Sequence, residues 1–204
     1  MSAPANPDAL RVATTTLAWR MRQALQTERL EIQPICGEFA ERSFALYNDP
    51  ALYQWISLKR PASVESLRAD WHRLETPVSP DGSEAWLCWQ LRCKATGRVI
   101  GMLDADATTT GVTPNLGYYI FVPYWRQGYA FEACSAVMQH LLTYGIHTLF
   151  ATVTVGNVAS KNLLKKLGFV YHQLLKDNDT LRGEWVDDWE FVYRRPRAVI
   201  VGAA

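Results

Sequence analysis

LGYYIFVPYWRQGYAFEA, Leu116 to Ala133, decides the reading of this chain, because within it one periodicity gives way to another. Leu116 to Val122 reads as a strand that runs into Pro123, which cannot continue a hydrogen-bonded ladder. A tight turn, WRQGYA, follows. From Gly128 to Tyr144 the apolar residues Ala130, Ala133, Val137, Leu141 and Tyr144 recur at spacings of three and four, which predicts a helix. Gly128 lets the backbone approach a ligand, and small Ala130 leaves room on the first helical turn. The amides from about Gln127 to Ala130 lack helical partners and carry the positive end of the helix dipole, so they suit a phosphate or pyrophosphate. A plain strand-to-helix turn with a glycine in it explains the same residues.

Downstream, Leu149 to Val155 reads as a short buried strand, Ala159 to Leu167 as a helix, and Gly168 as its stop. The junction is GNVASKNLLKKLGF, with Asn157 just past a strand end and Ser160 on the first helical turn. Two successive strands that end in helix N-termini open a crevice at their carboxyl edge, where ligands bind in open sheets. Phe169 to Leu175 and Trp185 to Arg194 close the pattern as two strands around a polar loop, KDNDTLRGE.

Upstream, Trp86 to Cys93 and Val99 to Asp106 alternate as a hairpin around KATG, and Thr108 to Asn115 turns again. Arg29 to Pro34 is a further strand, Gly37 to Asn48 carries helical signals, and Asn48 to Pro50 breaks them. A helix after Pro61 takes Ser63 as N-cap, with Trp71 and Leu74 on its apolar stripe. Nearer the start, Leu17, Met21 and Leu25 predict a helix over Leu17 to Gln26 capped by Thr16, whereas the TTT run argues against helix from Asp8 to Thr16. Residues 1 to 8 are expected to be disordered. Antiparallel strands passing into βαβαβ imply an α+β fold, a mixed sheet with helices on both faces.

Composition narrows the function classes. The 204 residues suit one domain, and a formal net charge of +1 gives no field to gather nucleic acid or an anionic membrane. No stretch approaches the roughly 18 apolar residues of a membrane span, and the start lacks the basic and apolar runs of a secretory signal. Cys36, Cys88, Cys93 and Cys134 form no CxxC pair and have no histidine at ligand spacing, so no metal site is expected. Reduced, buried thiols and a cytoplasmic location follow as expectations.

Together TERLEIQP (Thr27 to Pro34), the GYY strand, PYWRQGYAFEA and NVASKNLLKKLGF resemble the GNAT superfamily of acyl-CoA N-acyltransferases, in the branch of the ribosomal-protein alanine N-acetyltransferases RimJ and RimL. The likeness runs from about Thr27 to Arg195. It implies an N-terminal extension over 1–26, a catalytic domain over 27–195 and a tail over 196–204. It further implies a mostly antiparallel sheet of about seven strands, split between the fourth and fifth to admit acetyl-CoA. Ile120, Phe121 and Val122 would pair with the pantetheine arm through their backbone. Gln127, Gly128, Tyr129 and Ala130 would cradle the pyrophosphate, Arg126 would add charge, and Asn157 would bind the pantetheine or a water. Arg126 reads equally as a solvated surface residue, and Glu132 as a structural first-turn acid.

Many relatives place a tyrosine where this chain has Leu164, to protonate the leaving thiolate. In the RimL-like branch the serine takes that duty, which makes Ser160 the candidate acid, although a cofactor contact or helix cap accounts for it as well. Asp104, Asp106, Asp179 and Asp187 compete as general base, and Asp179 is carried forward beside Ser160. The implied reaction is acetyl transfer to an amine, on a peptide N-terminus or a small molecule, and a non-catalytic acyl-CoA sensor is the alternative. A homodimer is compatible with the extension and the apolar tail.

Overall fold

The computed structural model describes residues 6–196. Its strands form two sheets. The first contains, in spatial order, β1 (Leu25–Gln26), β2 (Leu30–Pro34), β3 (Ala85–Cys93), β4 (Val99–Ala107) and β6 (Asn115–Ile120), all antiparallel. The second contains β5 (Val112–Thr113), β7 (Thr148–Thr154), β9 (Glu184–Arg194) and β8 (Val170–Leu181). The short strand β5 pairs parallel with the start of β7, Val112 with Thr148 and Thr113 with Leu149. Because β6 follows β5 after a single proline, β6 and β7 begin together and then diverge. Among the described residues β6 pairs only with β4, so its other edge is open along the divergence.

That arrangement is the expected split, drawn as two sheets and nine strands instead of one sheet of about seven. The two additional strands, β1 and β5, are two residues each, too short for alternation to reveal.

The N-terminal helix differs from expectation in both its limits. Helix α1 spans Pro7–Met21, with Asn6 as N-cap accepting from the Asp8 amide and Pro7 at its first position. It includes the threonine run. Thr15 and Thr16 return their hydroxyls to the carbonyls of Arg11 and Val12, four residues back, which satisfies them inside the helix. Thr16 is therefore no cap. Thr14, Ala18 and Met21 are buried, and Ala18 and Met21 join the main core. The chain leaves the helix at Arg22, whose guanidinium donates to the Ile35 carbonyl, and Leu25–Gln26 is strand.

The other correction concerns KDNDTLRGE. Strand β8 runs through most of it to Leu181, with a register shift between Leu175 and Asp179 where Asp177 takes φ 47°. The reversal itself is Arg182–Gly183, at φ 55° and 87°, a two-residue hairpin with both central residues left-handed.

The sheets bury two clusters. The larger lies under α1 and under α4 (Tyr129–Thr143) and α5 (Val158–Lys166), and includes Trp89, Leu103, Leu116, Val137, Leu141 and Phe191. The smaller fills the opposite face of the first sheet beneath α2 (Ala40–Phe44) and α3 (Val64–Leu74), around Tyr47, Trp71, Met102 and Phe121. Ser63 caps α3 in a capping box with Ser66, as its sequence position suggested. Strand periodicity assigns the faces: on β6, Leu116 and Ile120 face the larger cluster, while Tyr119 turns to the smaller one.

Candidate active site

The divergence of β6 and β7 opens a cleft of 920 Å³. Its walls are the open edge of β6, the turn into α4, the end of β7 with the start of α5, and the segment around Trp55. Gly156, at φ 102°, sits at the β7–α5 junction, and an added Cβ there would lie 3.2 Å from the Trp55 ring.

At the head of α4, Gly128 is the N-cap at φ 82°, and among the described residues no side chain caps the helix. Arg126 is also left-handed, at φ 59°. The uncapped amides of the first turn thus remain available to an anionic ligand, and Gly128, Tyr129 and Ala130 line the cleft. Lys166 joins Arg126 there as a second cation.

The turn is held from behind by the TERL segment. Glu132 accepts hydrogen bonds from the Thr27 hydroxyl, from the Arg29 amide at 2.9 Å and from the Arg29 guanidinium at 2.6 Å. Arg29 also donates to the Gln127 carbonyl at 2.9 Å and lies over the Tyr129 ring. Burial opposes ionisation of Glu132, but these donors outweigh it and hold the carboxyl below its usual range. Glu132 is accordingly a tie between the first sheet and α4, in line with the structural reading of it.

At the start of α5, Asn157 is the N-cap, its Oδ1 accepting from the Ser160 amide at 3.1 Å. The Ser160 hydroxyl is therefore free of capping duty. It meets the Tyr118 hydroxyl at 2.6 Å, across the divergence of the two sheets. Burial pushes the Tyr118 phenol well above its ordinary range, with the nearby Cys134 thiol acting in the same direction, so the phenol stays protonated.

Most of the residues singled out from sequence come together. Ile120, Arg126, Gly128, Tyr129, Ala130, Asn157, Ser160 and Asp179 all line the cleft. Three do not. Phe121 is fully buried and packs with Val122 in the smaller core. The Phe121 amide donates to Ile100, and the carbonyls of Ile120, Phe121 and Val122 accept from Trp125 Nε1, the Tyr124 amide and the Trp125 amide respectively. Gln127 turns back, its side chain donating to the Pro123 carbonyl.

Of the remaining carboxylates, Asp187 is tied to Lys176 and the Asp177 amide, away from the cleft. Asp104 does line it. Asp188 was missed by sequence reasoning: it lines the cleft, accepts from Asn178 and keeps its Oδ1 without a partner among the described residues. Tyr118 was missed as well. A period of two along GYY sends adjacent tyrosines to opposite faces, which was the signal available for it. Among the described residues no group of acids, cysteines and histidines is placed to hold a metal ion, and no helix is long and apolar enough to cross a membrane.

The comparisons agree with this geometry. Residues 29–170 match the family described as "Acetyltransferase (GNAT) domain". YoaA, an uncharacterised N-acetyltransferase of Bacillus subtilis (strain 168), is 26% identical over 162 residues, covering 76% of this chain and 90% of the relative. The uncharacterised N-acetyltransferase p20 of Bacillus licheniformis is 26% identical over 179 residues, covering 83% of this chain and 94% of the relative. Among solved structures, the fold superposes on RimL, the ribosomal L7/L12 α-N-protein acetyltransferase, in complex with coenzyme A. The TM-score is 0.75 at 18% identity, covering 85% of this chain and 98% of that one. The ribosomal-protein-S5-alanine acetyltransferase of Vibrio fischeri superposes with a TM-score of 0.70 at 16% identity, covering 86% of this chain and 98% of that one. The chain belongs to the GNAT family of acetyltransferases, enzymes whose acyl donor is acetyl-CoA.

Proposed function

We propose that this enzyme binds acetyl-CoA in the cleft between β6 and β7 and transfers the acetyl group directly to a primary amine. The observation that carries the proposal is the pair of features facing one cavity: an uncapped α4 N-terminus at one end and the Tyr118–Ser160 hydroxyl pair across it. When bound, acetyl-CoA supplies a thioester carbonyl as the acyl source.

The chain's own residues have separable tasks. The amides of Gly128, Tyr129 and Ala130, with Arg126 and Lys166, hold the diphosphate. Glu132 and Arg29 keep that turn in place from behind. The open edge of β6 serves the pantetheine arm, a role shifted from the internally bonded carbonyls of Ile120 to Val122 toward the strand edge. Ser160, fed by Tyr118, delivers a proton to the departing sulfur. The phenol of Tyr118 thereby takes up the duty that a tyrosine at the position of Leu164 performs in many relatives. Asp179 and Asp188 remain at the cleft wall as carboxylates near the second sheet.

Incubation of the purified chain with acetyl-CoA and a panel of primary amines, read by free-thiol release and product mass, tests this reading. A mass increase equal to one acetyl group on an amine, matched by thiol release, is the expected result. Tight acetyl-CoA binding without an acetylated product from any amine contradicts it, and identifies an acyl-CoA sensor instead.

A further inference from the structure

A second cavity, of 300 Å³, adjoins the first on the other face of the first sheet. Leu58, Asp104 and Tyr119 line both cavities, so the two meet at these three residues. On the far side of that junction the walls are Tyr47, Trp71, Trp86 and the carboxylate of Asp106. Strand geometry explains the meeting. Asp104 and Asp106 are two apart on β4 and point to the same face, and β3 sets Cys88 and Trp86 opposite them. On the other side, Gly117 faces Asp104, and a Cβ there would lie 2.6 Å from Asp104 Oδ2. The glycine of GYY thus makes room for the carboxylate.

These two acids are poorly provided for. The Asn115 side-chain Nδ2 donates to Asp104 Oδ2 at 3.0 Å, and neither carboxylate has an ion-pair partner among the described residues. A desolvated carboxylate without a cation is costly, and a cationic ligand rich in N–H donors removes that cost. The aromatic walls suit an apolar body, and a ring face also attracts an ammonium.

Resting on the acetyl-transfer reading, we infer that this pocket selects a small primary amine with an aromatic body. Its ammonium sits between Asp106 and Asp104, and Asp104 is the general base. The ring occupies the space between Trp71 and Trp86, while the nitrogen faces Asp104, at the junction with the cleft that Ser160 lines. Asp104 takes one proton from the ammonium and passes it to solvent. The freed lone pair forms the N–C bond to the acetyl carbonyl carbon as the C–S bond breaks. The nitrogen then sheds a second proton, which balances the one that the Ser160–Tyr118 pair delivers to sulfur. The products are the N-acetylamine, the free thiol and one released proton.

The electrostatics are compatible with that role. Burial raises the Asp104 carboxyl to about 6, against the Asn115 hydrogen bond. Burial, with repulsion from Asp104 and Glu84, raises Asp106 to about 7. Cys88 and Tyr119 also face Asp104, both protonated, and Lys59 and Asp70 stand in the pocket wall.

The test compares 2-phenylethylamine, spermidine and a short peptide beginning with alanine as acceptors, with acetyl-CoA affinity measured separately by calorimetry. The inference predicts that kcat/KM for 2-phenylethylamine exceeds the other two by at least about tenfold. Asp106→Asn and Trp86→Ala should each raise its KM by about tenfold while acetyl-CoA affinity stays within about twofold. Trp86 is partly exposed, so its truncation leaves the fold intact. In the wild type kcat should rise with pH as Asp104 ionises, and Asp104→Asn should lose that limb. Preference for spermidine or the peptide, or an unchanged KM in both variants, overturns the assignment while acetyl-CoA binding persists. Absence of acetyl-CoA binding overturns it together with the reading it rests on.

Discussion

In the proposed reading, the two sides of the first sheet do different work with different materials. On the side of α4 and α5 the site is built mainly from backbone: a left-handed glycine, uncapped amides, a strand edge without a partner, and one asparagine that caps a helix. On the side of α3 it is built from side chains gathered from distant segments: Tyr47, Trp71, Trp86, Asp104 and Asp106. Backbone devices recognise what is common to every acyl-CoA, a diphosphate and an amide-bearing arm. Side chains would recognise what differs between acceptors. On that reading the donor side can stay constant while the acceptor side is re-specified by a few substitutions, without disturbing the fold.

That division can be broken at four points, with the largest effect on the donor side. Tyr118→Phe and Ser160→Ala should each lower kcat by about 100-fold, since a positioned proton donor contributes at least that much. The double variant should be little worse than either alone, because the two hydroxyls act as one relay; additive losses in steady-state kinetics would separate them. Next, Asp104→Asn on the acceptor side should make the protein more stable while it loses activity. The carboxyl is raised in the folded chain to about 6 from 3.8, so the folded state holds the proton more tightly. Stability therefore falls as pH rises between these two values, and the deficit is complete above the upper one. Removing the charge should recover on the order of 3 kcal/mol at pH 8, seen as a higher melting temperature, and nothing at pH 3. Third, Glu132→Ala loosens the turn behind the diphosphate site and should weaken acetyl-CoA by about tenfold in calorimetry, with acceptor KM unchanged. The smallest change is Ser63→Ala, which removes the α3 capping box and should cost about 1 kcal/mol in chemical denaturation.

Legibility in the sequence follows the same line. WRQGYA and NVAS are local, so their geometry is written in consecutive residues, and the structure places Gly128, Asn157 and Ser160 around one cleft. The proposed acceptor pocket depends on the register of β3 against β4 and on how α3 lies across them, neither of which any window of sequence contains. Asp104 and Asp106 were visible as candidates, but their meeting with Trp71 and Trp86 was not. Tyr118 was hidden differently. Its partner Ser160 lies 42 residues away, and only the divergence of β6 from β7 brings the hydroxyls together. The misread N-terminus is instructive too. Asn6–Pro7 was a clear helix start, and the threonine run obscured it because β-branched residues are merely unfavourable in helices, not excluded. In KDNDTLRGE, polarity was mistaken for loop, although an edge strand exposed to solvent is polar for the same reason.

Acetyl-CoA binding at the α4 turn is open to titration calorimetry of acetyl-CoA into the full chain beside Gly128→Glu. The substituted side chain brings a carboxylate to the diphosphate position and a Cβ to a backbone at φ 82°. Micromolar binding by the wild type and none by the variant are expected, with both proteins giving folded circular-dichroism spectra. Failure of the wild type to bind, or undiminished binding by the variant, contradicts acetyl-CoA binding at this turn.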